Sequence, residues 1–106
     1  MLEKKYVYQV ILDWATEDDS SVEIEVFDTY EKALNHFHKL IENELNPEIS
    51  WVGSDAFDEN KNLNEDYEFD CNLDASNKTD LWWNIYGKGY YDIKHTFIDL
   101  RKKEIH

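Results

Sequence analysis

Apolar side chains at Tyr30, Ala33, Leu34, Phe37, Leu40, Ile41 and Leu45 recur at the 3, 4, 7 spacing of one helical face. Lys32, Asn35, Lys39, Glu42 and Asn43 fall on the other side. Asp28, with Glu31 three residues on, reads as a capping box. Asn46-Pro47 closes the segment, because a residue before proline is pushed out of the α region. The pattern predicts a helix from Asp28 to Leu45. At ~1.5 Å per residue this is a rod of roughly 27 Å, about right to cross four or five strands.

Elsewhere the period is two. Tyr6 to Trp14 carries apolar residues on both faces, as in a strand with neighbours on each side: Tyr6, Tyr8, Val10, Leu12 and Trp14 on one, Val7 and Ile11 on the other. Ser21 to Phe27 alternates, which predicts Val22, Ile24 and Val26 facing the core and Glu23 and Glu25 facing out. The two form a hairpin across the polar turn Ala15 to Ser20. Beyond the helix, strands are predicted at Ile49 to Gly53, Asp66 to Leu73, Leu81 to Tyr86 and Tyr91 to Arg101, with a polar loop over 54–65 and a polar tail from Lys102 to His106. The expected architecture is a single α+β domain spanning residues 1–106. It is an antiparallel sheet of five to six strands with one long helix on one face, in the order β-β-α-β-β-β-β. Trp82 and Trp83 are adjacent and must point to opposite faces. Something must therefore shelter the second face (the 54–65 loop, or another copy of the chain) unless that face is a binding surface.

Charge sharpens the picture. Twenty-four acids against eleven bases leave a net charge of −13, which works against direct binding to nucleic acid or to an anionic membrane. Such acidity often accompanies disorder, but 42% hydrophobic and 15% aromatic content argues that the acids decorate a folded core. No apolar run approaches the ~20 residues needed to span a bilayer. The opening residues lack the apolar region of a signal peptide, and the single Cys71 suits a reducing compartment, so a cytoplasmic location is expected.

Motifs that carry chemistry are missing. Asp58-x-Asn60-x-Asn62 resembles the start of a calcium loop but has Leu63 where glycine is needed and Phe69 where glutamate is needed. His36 and His38 splay about 200° apart on a helix and cannot share a metal. His95 and His106 have no ligand neighbours at the right spacing, and Cys71 lies on the apolar side of its strand. There is no G-x-S-x-G, glycine-rich phosphate loop or H-E-x-x-H. The expectation is a non-enzymatic protein without metal or cofactor.

The acids are unevenly spread. Tyr6 to Glu31 holds eight acids and no base, Glu42 to Asp74 eleven acids and one base, and the chain from Lys88 onward five bases against three acids. Alternation predicts Glu23 and Glu25, and Glu68, Asp70 and Asp74, on outward faces in rows spaced ~6.6–6.8 Å. Duplex phosphates advance ~3.4 Å per strand, a comparable scale. Asp18, Asp19, Glu23, Glu25, Glu59, Glu65, Glu68 and Asp70 are the expected acidic face, with whichever of Trp82 and Trp83 points outward as an aromatic anchor.

In size, acidity, single-domain build and lack of an enzymatic motif, the chain resembles small phage-encoded anti-defence proteins of the anti-CRISPR type, several of which act as nucleic-acid mimics. The resemblance implies a stoichiometric inhibitor in the host cytoplasm that occupies the lysine- and arginine-lined groove of a nucleic-acid-binding effector or nuclease. Two other readings stay open: an immunity protein or antitoxin against a basic toxin nuclease, and a homodimeric regulatory or scaffold protein whose uncovered sheet face pairs with itself.

Overall fold

The computed structural model describes residues 5–46, 52, 56–58, 60, 62–74, 80–88 and 94–105. Its elements are β1 (Lys5–Ala15), β2 (Ser20–Phe27), α1 (Tyr30–Glu44), β3 (Tyr67–Asn72), β4 (Asp80–Gly87) and β5 (His95–Ile105). The strands form one antiparallel sheet in the order β2-β1-β5-β4-β3, so β2 and β3 are its two edges. Of the expected strand at Ile49 to Gly53, only Val52 is among the described residues, and it is helical and buried.

The helix starts later than its capping pattern suggests. Thr29 is the N-cap, in extended conformation, and its hydroxyl accepts from the Lys32 backbone N–H. Asp28 instead holds the Lys32 ammonium at 2.9 Å, which keeps its carboxyl below the usual carboxylate value. At the far end the Leu45 N–H still reaches the Ile41 carbonyl, as in a last helical turn.

Ala33 and Phe37 are the helix residues driven fully into the core. They sit on a floor that strand pairing builds from Val10 beside Leu100 and Leu100 beside Leu81, then Ile98 beside Trp83. The helix lies over β1, β5 and β2. The rest of that face is covered by the residues after it: Val52 and Ala56 are buried, and Phe57 stacks on Trp83 at 6.1 Å and meets Phe69 edge-on at 5.7 Å. Val52, Ala56 and Phe57 therefore shelter the helix side of the sheet, and the second face is open among the described residues.

Two expectations are corrected. Glu23 and Glu25 lie on the helix side of the sheet, because β2 pairs Glu25 with Val10, Glu23 with Leu12 and Phe27 with Tyr8. Val22, Ile24 and Val26 take the open side, 60%, 57% and 57% exposed. Phe27 decides the matter: its ring packs against the helix-side core, and alternation carries Glu25 and Glu23 with it. The final strand also runs further than expected, from His95 to Ile105 through the residues expected as a polar tail, while residues 91–93 of its expected start lie outside the described residues. β1 offers a ladder 11 residues long, and Lys102 lays its ammonium over the Tyr6 ring at 4.0 Å.

Candidate interaction surface

Strand pairing arranges the open face in four rows. Reading from β2 across to β3, one row is Ser20, Ala15, His95, Tyr86 and Glu68; the next is Val22, Asp13, Phe97, Asn84 and Asp70; the third is Ile24, Ile11, Asp99, Trp82 and Asn72; and a fourth has Val26, Gln9, Arg101 and Asp80. The β2 side of this surface is aliphatic. The β3 side is carboxylate and aromatic.

At that second corner the groups hold one another. The Trp82 indole N–H donates to Asp70 at 3.1 Å across the β3–β4 pair. Glu68, as hydrogen-bond partner and as a charge, pushes the Tyr86 phenol above its ordinary value. Tyr86 and Phe97 meet edge-on at 6.3 Å, and Phe97 stacks with His95 at 4.5 Å. His95 Nε2 lies 2.8 Å from Asp13 Oδ1. These rings are held by one another and by the carboxylates beside them.

The expected acidic residues fall into separate groups. Glu68 and Asp70 are exposed on the open face at the β3 edge, with Trp82 beside them; Trp83 is buried on the other side, 4% exposed. Asp18 and Asp19 occupy the β1–β2 turn, and Glu65 the turn entering β3, all at the end of the sheet where Ala15, His95 and Gly87 also lie. Glu23 and Glu25 stand at the opposite edge, on the opposite face, four strand spacings or roughly 19 Å away. The carboxylates therefore do not form one continuous sheet face. Glu59 lies outside the described residues. The calcium-like stretch is a tight turn in which Asp58 Oδ1 accepts the backbone N–H groups of Asn60 and Asn62, each at 2.9 Å.

Sequence reasoning missed Asp13, Asp80 and Asp99, which share the open face with Glu68 and Asp70. Each is a lone acid amid strand residues, and only register brings them together; the 82 positions between Asp13 and His95 leave no spacing to read. Burial pushes the Asp99 carboxyl up, Arg101 opposes this, and Asp13 and Asp80 add to it. Arg101 lies 3.7 Å from Asp99, which tempers the acidity at that end of the face.

A pH effect follows. A carboxyl whose folded-state pKa lies above its unfolded value of about 3.8 costs stability once ionised: stability falls as pH rises from 3.8 through the folded value, and below 3.8 the group contributes nothing. Asp99→Asn is expected to raise the urea midpoint at about pH 7, and this gain should close at about pH 3. A gap of equal size at both pH values would mean that burial of the charge is not its cause.

Compared with protein-family models, curated proteins and solved structures, the chain matches none. No helix among the described residues is long and apolar enough to cross a membrane.

Proposed function

We propose that this chain is a non-enzymatic acidic binding protein that inhibits a basic nucleic-acid-binding effector or nuclease by occupying its positively charged groove, in the manner of the anti-CRISPR type of nucleic-acid mimic. The observation that carries the reading is the β3–β4 corner of the open face. There Glu68 and Asp70 are exposed two residues apart beside Tyr86 and Trp82, with the Trp82 indole tied to Asp70. A net charge of −13 speeds encounter with a basic groove. Held aromatics then supply short-range affinity to arginine and lysine side chains.

The test is affinity capture from host-cell lysate followed by competition with nucleic acid, run with the parent chain and with Glu68→Lys/Asp70→Lys. The parent should retain a nucleic-acid-binding protein and release its bound DNA or RNA. The reversed pair should lose that capture, while Glu23→Lys/Glu25→Lys, at the distant edge, should keep most of it. Equal capture of the same protein by the parent and the Glu68/Asp70 variant sinks the proposal.

Self-pairing through the open face is the second reading, and the exposed Val22, Ile24 and Val26 favour it. Light scattering separates the two: an apolar dimer persists at about 0.5 M salt, whereas groove occupation weakens as the Debye length shrinks to a few Å.

A further inference from the structure

The edge at β2 is a different surface, and its chemistry is specific. β2 is last in the strand order, so its outer N–H and C=O groups lack a strand partner among the described residues. On the open side it presents Val22, Ile24 and Val26, each more than half exposed, with Ile11 beside Ile24. On the helix side it presents Glu23 and Glu25. These border a recess of about 120 Å³ whose other walls are Val10, Leu12, Leu40 and His36. His36 Nε2, 3.8 Å from Glu25, is the one basic group near either carboxylate among the described residues.

Edge strands are usually guarded by lysine, proline or a bulge; β2 has none of these, and pairs with β1 without interruption from Ser20 to Phe27. Its guard is the glutamate pair, and that guard is selective. Antiparallel pairing of two β2 edges in one continuous sheet would gather four carboxylates on one face, between chains that each carry −13. A basic strand meets the reverse situation. Its lysine or arginine side chains fall on the Glu23 and Glu25 side, directly beside the two exposed carboxylates at the strand's free edge. Its alternate residues fall over Val22, Ile24 and Val26, which call for aliphatic partners.

We propose that the outer edge of β2 binds an extended segment of a partner protein, alternating lysine or arginine with valine or isoleucine, as an added strand of the sheet. This surface is independent of the β3–β4 corner and stands whether or not that corner occupies a basic groove.

The experiment uses the intact chain and two synthetic peptides as long as β2, 8 residues. One alternates lysine and valine; the other has the same composition in two blocks. Calorimetry measures affinity, and amide hydrogen exchange maps the site. The alternating peptide should slow exchange of the outward β2 amides and bind roughly tenfold more tightly than the blocked one, because only alternation satisfies both faces. Glu23→Gln/Glu25→Gln should weaken it by roughly tenfold. Both glutamates are exposed, so the melting temperature of this variant should stay close to the parent's and exclude misfolding as the cause. Glu68→Lys should leave the affinity unchanged within roughly twofold. Equal affinity for the two peptides would reduce the effect to net charge and overturn the proposal. Protection elsewhere than β2, or protection of β2 that rises with protein concentration and no peptide, would overturn it as well, the latter by showing a second copy as the occupant.

Discussion

Phe37→Ala is expected to cost about 3–5 kcal/mol of folding stability. Phe37 has 0% exposure and is the helix's one large side chain wholly inside the core; its companion Ala33 contributes little area. Truncation removes the ring from the floor formed by Val10, Ile98 and Leu100 and leaves a cavity that a rigid sheet cannot collapse to fill. Since a domain of this size holds about 5–15 kcal/mol in total, the loss is a large share of it. A fall in melting temperature of roughly 10 °C or more should accompany it. Urea unfolding followed by far-ultraviolet circular dichroism measures the effect. A loss of under about 1 kcal/mol would mean that α1 is not seated as described.

Adjacent tryptophans give the second large effect, through their difference. Trp83→Ala should cost about 3–5 kcal/mol, whereas Trp82→Ala should cost about 1 kcal/mol or less. Trp83 is 4% exposed and packs against both Phe57 and Phe69, at 6.1 and 5.4 Å. Trp82 is half-buried on the open face, where its loss gives up one hydrogen bond to Asp70 and part of its packing. The same denaturation curves decide it, and equal costs would contradict the opposed orientation of the two rings. Trp82→Ala should also weaken any partner held at the β3–β4 corner, so that stability and binding separate in the two variants.

Elements were easier to read from the sequence than faces. α1 announces itself because its apolar stripe, cap region and closing proline agree, and the alternating runs mark where β1, β2, β3 and β4 lie. Alternation divides a strand into two sets without saying which set meets the core. For β2 the three aliphatic residues suggest the inward set, yet the structure buries the set containing Phe27 and exposes Val22, Ile24 and Val26. At an edge strand one large ring beside the helix outweighs three smaller side chains. That parity was available in the sequence, since Phe27 is an odd number of residues from each of them. The extension of β5 through Lys102, Lys103 and Glu104 was not available, because it depends on the length of a partner strand far away in the chain. The acidic surface divides for a related reason: local charge density is visible along a chain, but which strand lies at which edge is a property of the whole sheet.

The pairing of β1 with β5 runs from Lys5 opposite Ile105 to Ala15 opposite His95. It closes a loop on the order of 80–100 residues, a modest cost in equilibrium free energy but a slow step in time. β1 with β2 can zip locally, and so can the β3–β4–β5 meander, yet α1 rests on both β1 and β5. Its seat therefore exists only once the first strand has met the last. On the ribosome, the hairpin and helix emerge with Phe37 still in water, and the chain cannot complete its core until β5 has cleared the exit tunnel.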